Sequence, residues 1–193
     1  MSDPSSPVAV AAVPFVYPLD DFYASAGLRL PNIERVAPED VPEPYRRLLV
    51  HNDDMTPTLE GFYGTQIHLK IIERVQRDDF YFREVVLQLD RTNQAVEFGA
   101  IKVSLTLFPP KARQLILEER VPLGRILEEC NVGHSTVAKA FFRVEADELI
   151  RRALTLPQPV TLFGRRANIL DSQKRPLAEI VEILPPIRNH ESA

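Results

Sequence analysis

The sequence predicts a single α+β domain built on an antiparallel β-sheet, and two observations support this. Three segments in which apolar and polar side chains alternate follow one another with only short turns between them, at 66–74, 79–89 and 95–108. Strands joined in this way form an antiparallel meander. Two more such segments, 160–170 and 177–184, come near the end of the chain, after several helical patterns. Strands that cluster early and late, with helices between them, indicate α+β architecture rather than alternating βαβ units.

The composition supports one globular domain and argues against several classes of function. The chain has 193 residues, of which 45% are hydrophobic and 26% charged, and its formal net charge is −4. No basic run is long enough to indicate nucleic-acid binding, and no apolar stretch is long enough for a membrane span. The one cysteine, Cys130, excludes an intrachain disulfide and fits a reducing compartment, so the cytoplasm is the expected location. The sequence is silent on the oligomeric state, and a monomer is favoured.

No cofactor and no metal ion are expected. The histidines, His51, His68, His134 and His190, lack metal-ligand spacing. The glycines are scattered, and none of them forms a nucleotide-binding fingerprint. Nothing around Ser135 resembles the nucleophile elbow of a hydrolase.

The chain divides into three regions. Residues 1–17, rich in Pro, Ser and Ala, are predicted to form a loose arm. Residues 18–47 form an extension with a short helix after Pro18 and a proline-marked irregular stretch at 31–44. Residues 48–188 form the domain itself.

Two helices are predicted before the meander. The first covers 43–51, where apolar residues recur at helical spacing. The second has Thr56 as its N-cap and Pro57 at its first helical position, and Gly64 ends it. His68, in the strand that follows, falls on the polar face and is expected to be solvated.

Arg83 is the most informative residue of the meander. Side chains alternate between the two faces of a strand, and the face of Arg83 is otherwise apolar or aromatic, with Tyr81, Val85, Leu87 and Leu89. A guanidinium cannot deprotonate to escape burial, so it must meet a carboxylate, a carbonyl or an anionic ligand. Two explanations stay open: a structural ion pair or solvent-reaching side chain, and an arginine that binds an acidic substrate.

The segment after the meander is mostly helical. Two short helices are predicted at 111–119 and 122–130. A strand is predicted at 135–144, although 138–142 also fits a helix. A further helix is predicted at 146–154, before the final hairpin.

Charged residues interrupt both strands of the final hairpin. Gly164 is followed by Arg165 and Arg166, and a glycine there indicates a bulge or the close approach of another group. In the last strand, Glu179 and Glu182 lie on opposite faces. Because both faces are mostly apolar, parity does not decide which glutamate points inward. A buried ion pair between either glutamate and the arginine of the meander stays open.

Five short motifs occur in order along the chain: Asp54-Met-Thr, Tyr81-Phe-Arg-Glu-Val, Pro122-Leu-Gly-Arg, Gly164-Arg-Arg and Glu182-Ile-Leu-Pro. Together they resemble the motifs of the chorismate lyase (chorismate pyruvate-lyase) family. The resemblance extends over about 48–186, most of the chain.

The resemblance implies a fold, a reaction and a site. The fold is one α+β domain, an antiparallel sheet with helices packed on one side and a ligand cavity closed by helical flaps. The reaction is the cofactor-free conversion of chorismate to 4-hydroxybenzoate and pyruvate. The implied catalytic residues are Arg83, which holds a substrate carboxylate, and Glu182, which contacts the region of the ring hydroxyl. Met55, Leu123 and Arg165 match further positions of the substrate site.

The chain also departs from the family pattern. Asp54 stands where the family has serine, and the arm before Leu48 is longer than in the compact bacterial enzymes. The segment between Gly164 and Glu182 is also longer, so Glu179 competes for the role of the family glutamate. Glu182 is preferred because it keeps the Glu-x-x-x-Pro ending of the family.

Two alternative functions stay open. The same fold serves as the non-catalytic effector-sensing domain of some bacterial transcription regulators, but we expect the segment before Leu48 to be too short and too acidic for their winged DNA-binding domain. A related enzyme that converts chorismate to another hydroxybenzoate is the second alternative. The pathway that uses the product, for example ubiquinone biosynthesis or glycolipid synthesis, is not predicted.

Overall fold

The computed structural model describes residues 15–187, which form one seven-stranded sheet with six α-helices. The strands are β1 (Ile33–Val36), β2 (Ile67–Arg77), β3 (Phe80–Leu89), β4 (Ala95–Ser104), β5 (His134–Glu145), β6 (Thr161–Asp171) and β7 (Pro176–Leu184). Their order across the sheet is β1-β5-β6-β7-β4-β3-β2, and every neighbouring pair is antiparallel. The predicted meander, β2 to β4, and the predicted final hairpin, β6 to β7, are both confirmed.

The helices agree in number and place with the sequence prediction. They are α1 (Leu19–Ser25), α2 (Tyr45–Leu49), α3 (Met55–Tyr63), α4 (Pro110–Glu118), α5 (Leu123–Glu129) and α6 (Glu148–Leu154), with short 3-10 turns at Pro38–Asp40 and Leu105–Leu107. Most of the predicted arm, 1–17, lies outside the described residues, as does residue 188 at the end of the predicted domain. Across 15–187, no helix is both long and apolar enough to cross a membrane.

Three predictions of local structure were wrong. The stretch 31–44, predicted as irregular, contains β1, which pairs with β5 and so depends on a partner about a hundred residues away. The predicted strand 95–108 ends at Ser104, and the next residues form a 3-10 turn. The N-cap of α3 is Asp54 rather than Thr56. Gly64 ends α3 as predicted, with a φ of 63°, in the left-handed region.

Other open points are decided by packing. The segment 138–142 is part of β5, with a bulge between Ala138 and Ala140. Gly164 allows a close approach rather than a bulge: a Cβ there would lie 2.5 Å from the ring of Phe142. Any side chain at this position would displace the aromatic ring from the core.

Helices α2 to α5 pack on one side of the sheet, as predicted, and their apolar side chains form two clusters with it. The opposite face carries a third cluster, in which α1 and α6 cover side chains such as Phe98 and Phe142. Both faces of the central strands are therefore covered, and several charged residues of these strands are buried: Arg83, Glu84, Glu97, Arg165 and Glu182.

Glu84 is one such enclosed residue, and it makes the stability of the fold depend on pH. Its side chain lies on the face covered by α1 and α6, and its Oε1 atom has no hydrogen-bond partner among residues 15–187. Burial, and after it the charges of Glu73 and Asp147, raise the pKa of Glu84 to about 7. Between the unfolded-state pKa of about 4.3 and this value, the folded state binds the proton more strongly, so the free energy of unfolding falls as pH rises.

We therefore expect Glu84→Gln to stabilise the protein at pH 8 but not at pH 4.5. The difference between the effects at the two pH values is expected to be roughly 2–3 kcal/mol. Urea unfolding of the wild type and the variant at both pH values measures it. The exposed Glu129→Gln is the matched control and should show no such difference. Equal effects of Glu84→Gln at both pH values would contradict the assignment.

Candidate functional site

A cavity lies between the sheet and the helices α3 and α5. Its floor consists of side chains on one face of the four central strands, β3, β4, β7 and β6. Strand register places these side chains in two adjacent rows, Arg83-Ile101-Ile180-Ala167 and Val85-Gly99-Glu182-Arg165. Charged groups therefore stand within an otherwise apolar floor.

The roof of the cavity consists of the first turns of α3 and α5. Met55 and Thr56 contribute from α3, and Leu123 and Gly124 contribute from α5. The two turns touch, because a Cβ on Gly124 would lie 3.1 Å from Oγ1 of Thr56. The cavity has a volume of about 60 Å³. One water needs about 10–15 Å³, so there is space for several atoms of a small ligand.

Arg83 is buried in this cavity without a counter-ion. Its side chain is on the floor, the residue is 2% exposed, and neither Nε nor Nη1 has a hydrogen-bond partner among residues 15–187. Burial lowers the pKa of the Arg83 guanidinium, and the nearby Tyr81 and Glu119 offset this only in part. Since a guanidinium does not deprotonate in proteins, the group keeps its charge. The solvent-reaching alternative is excluded by the burial.

Glu182 forms an ion pair with Arg165 instead of Arg83. The Nε atom of Arg165 donates to a carboxylate oxygen of Glu182, and both residues are buried. The rest of the guanidinium donates to backbone carbonyls, at 3.0 Å to His51, 3.1 Å to Asp53 and 3.4 Å to Leu49. Arg165 thus attaches the segment before α3 to the sheet and positions the roof of the cavity.

Glu179 lies on the opposite face of β7 from the cavity. Its carboxylate binds Lys102 at 3.2 Å and Arg166 at 3.0 Å. Of the two glutamates, Glu182 therefore points into the cavity and Glu179 points away from it. Arg166, the second arginine after Gly164, also points away from the cavity floor.

Glu97 is a further acid on the cavity floor that the sequence argument did not select. It is buried on β4, directly opposite Leu87 on β3. Burial, and after it the charge of Glu182, holds the pKa of the Glu97 carboxyl well above its ordinary value, although Arg165 acts in the other direction. The sequence pattern that could have identified Glu97 is the one that identified Arg83, a single charged residue on an otherwise apolar strand face. On β4 that face also carries Ile101.

Asp54, which stands where the family that the sequence resembles has serine, joins the roof to the edge of the floor. Its carboxylate accepts from Nε2 of His134 at 2.8 Å and from the hydroxyl of Thr136. Because these bonds occupy the side chain, Asp54 caps α3 by its backbone position alone. Burial alone would lower the pKa of His134, but its hydrogen bonds to the Val132 carbonyl and to Asp54 outweigh this and raise it.

The structure brings together all the residues that the resemblance selected. Met55, Arg83, Leu123, Arg165 and Glu182 line the same cavity although they come from five different elements. Whether they bind or convert a ligand stays a prediction at this point.

Comparisons with known proteins bear on the fold. No family model matches the sequence, and no curated protein sequence matches it significantly. Among solved structures, PhnF from Mycobacterium smegmatis matches with a TM-score of 0.54, over 88% of this chain and 93% of that chain, at 11% identity. The effector domain of PhnF matches with a TM-score of 0.53, over 68% and 87% of the two chains, at 12% identity. The chain shares its fold with the effector domain of PhnF.

Two further solved structures match with lower TM-scores. A transcriptional regulator of the GntR family from Bacillus cereus gives a TM-score of 0.47, over 67% of this chain and 99% of that one, at 13% identity. YydK from Bacillus subtilis, described as a possible transcriptional regulator, gives a TM-score of 0.49 at 9% identity, and the match spans 62% of this chain and 58% of that one.

Proposed function

We propose that this chain binds a small organic acid in the cavity, with Arg83 holding the carboxylate. One observation carries the proposal: a buried guanidinium faces a cavity with two of its nitrogen atoms unpartnered among residues 15–187. An uncompensated buried charge is among the most destabilising features of a protein interior. A carboxylate that enters the cavity supplies the missing charge and the fork-like hydrogen-bond geometry that a guanidinium prefers.

The structural neighbours favour binding as the core of this function. The effector domain of PhnF is named for a binding role, and it shares the fold of this chain. In the sensing form of the proposal, the ligand closes the contact between the roof and the floor of the cavity, and nothing is converted. This form of the proposal requires only ligand binding and no catalytic step.

Chorismate pyruvate-lyase activity is the second candidate function. It is favoured by the convergence of Met55, Arg83, Leu123, Arg165 and Glu182, the residues that match the lyase family, on one cavity. The elimination of pyruvate from chorismate yields an aromatic product and is strongly downhill, so it needs orientation and proton transfer rather than a covalent nucleophile. In this candidate, Arg83 orients a carboxylate of the substrate, and Glu182 accepts from the ring hydroxyl.

Calorimetric titration tests the binding proposal. We expect 4-hydroxybenzoate to bind, and 4-hydroxybenzyl alcohol, which has the same ring without the carboxylate, to bind about 30-fold or more weakly. This follows because the loss of one partner of a buried charged pair costs about 2–5 kcal/mol. Equal affinity for the acid and the alcohol would contradict the role of Arg83.

Mixing the protein with chorismate separates the candidates. A lyase releases 4-hydroxybenzoate and pyruvate in equal amounts, and a related enzyme releases a different hydroxybenzoate. A sensing domain binds the aromatic acid and releases no product. Failure of every aromatic acid to bind, together with the absence of product, would reject the proposed function as a whole.

A further inference from the structure

Glu97 is a buried acid for which the proposed function gives no role. The residue is 4% exposed, and its Oε2 atom has no hydrogen-bond partner among residues 15–187. It lies on the cavity floor, on the same face as Arg83 but four residues further along the β3–β4 ladder. That offset is about 13 Å between backbones. The backbones of Glu97 and Arg83 therefore lie in different rows of the cavity floor, two rows apart.

The carboxyl group of Glu97 is directed back over Gly99. Its Oε1 atom is 3.0 Å from the point that a Cβ on Gly99 would occupy, so glycine at this position leaves room for the carboxyl. Gly99 is the strand partner of Glu182 on β7. The carboxyl groups of Glu97 and Glu182 are thus neighbours at one end of the cavity.

These two carboxyl groups share one cation. The Nε atom of Arg165 donates to Glu182, and the other nitrogen atoms of Arg165 donate to backbone carbonyls. Two adjacent buried carboxylates with a single guanidinium do not both stay ionised, because like charges at short range repel in a medium of low polarity. The group without the direct ion pair, Glu97, is the one that keeps a proton.

We propose that Glu97 is a neutral carboxylic acid that donates a hydrogen bond to the ligand, and that it acts with the ionised Glu182 to select a hydroxyl group. This deepens the proposed function and rests on it. The protonated carboxyl of Glu97 can donate a hydrogen bond to a hydroxyl oxygen, and the same hydroxyl can donate its proton to the carboxylate of Glu182. The two residues therefore satisfy both the acceptor and the donor of one hydroxyl group. The ligand class is an acid with its carboxylate at Arg83 and an uncharged hydroxyl at the other end.

Three aromatic acids of similar size test the selection by calorimetry. We expect 4-hydroxybenzoate to bind about 3- to 10-fold more tightly than benzoate, the gain from a neutral hydrogen bond. We expect benzene-1,4-dicarboxylate to bind more weakly than benzoate, since its second carboxylate meets Glu182. If the dicarboxylate binds as tightly as the hydroxy acid, the inference is overturned.

Two variants of Glu97 separate hydrogen-bond donation from packing. Glu97→Gln keeps a donor of the same shape, so it should keep most of the preference for 4-hydroxybenzoate over benzoate. Glu97→Leu removes the donor and should reduce this preference to less than about 2-fold. Benzoate binding, which depends on Arg83, shows that each variant is folded. An unchanged preference in Glu97→Leu would reject the role of Glu97 and leave the proposed function intact.

Infrared difference spectroscopy reports the proton directly and does not depend on the variants binding a ligand. The wild type at pH 7 should show carbonyl absorption from buried protonated carboxyl groups, part of which comes from Glu84, whose pKa is about 7. Glu97→Gln should keep the Glu84 component and lack the component that belongs to Glu97. The exposed Glu129→Gln is the matched control and should keep it. A wild-type spectrum that is identical to that of Glu97→Gln would overturn the inference even if every acid binds.

Discussion

Arg83→Met is expected to weaken the binding of 4-hydroxybenzoate by roughly 30- to 5,000-fold and, at the same time, to make the free protein more stable. The loss of affinity follows from removing one partner of a buried charged pair, which costs about 2–5 kcal/mol. The gain in stability follows because the guanidinium of Arg83 is buried, and its Nε and Nη1 atoms have no partner among residues 15–187. Replacing buried charges with an apolar side chain of similar size often stabilises by about 1–4 kcal/mol.

These opposite signs distinguish a binding residue from a structural one. A residue that supports the fold loses stability when it is replaced, and any loss of binding then follows from misfolding. Calorimetric titration and urea unfolding of the same preparations measure both quantities. The matched control is Arg29→Met at an exposed position, which should change neither. Destabilisation of the free protein by Arg83→Met would indicate that Arg83 has a structural partner after all.

Arg165→Met is expected to destabilise the protein by roughly 3–5 kcal/mol. The variant leaves Glu182 buried without its cation, and it removes the donors to the backbone carbonyls of His51 and Asp53. Those carbonyls belong to the segment that leads into α3, so we also expect the roof of the cavity to loosen and ligand affinity to fall.

The neighbouring arginine provides a matched control for this prediction. Arg166 pairs with Glu179 on the other face of the sheet, where both side chains are partly exposed, so Arg166→Met should cost only about 1 kcal/mol. The double variant Arg165→Met with Glu182→Met should recover much of the stability, because it removes both charges of the buried pair. Urea unfolding measures all three variants. A loss for Arg165→Met no greater than that for Arg166→Met would contradict the structural role.

Much of the fold could be predicted because its strands are long and alternate clearly. The alternation of apolar and polar side chains alone predicts the strands that contain Arg83 and Ile101. In the structure these two strands pair antiparallel, as predicted for the meander. Strand β1 has only four residues, and its existence depends on its distant partner β5, so no local pattern could indicate it. The N-cap of α3 was predicted at Thr56 instead of Asp54 for a similar reason. The hydrogen bonds that His134 and Thr136 donate to Asp54 are tertiary contacts, which no local pattern indicates.

By itself the sequence determined which residues share a strand face, and therefore that Arg83 lies on an apolar one; its burial was decided by the structure. Only the tertiary structure decided which charges meet there. The register of β6, β7 and β4 places Glu182 opposite Arg165, with which it forms an ion pair, and brings Glu97 close to both. The Nε and Nη1 atoms of Arg83 have no partner among residues 15–187. The physical reason is that side-chain alternation is a property of each strand alone, whereas charge partners are set by lateral pairing between strands that are far apart in the chain.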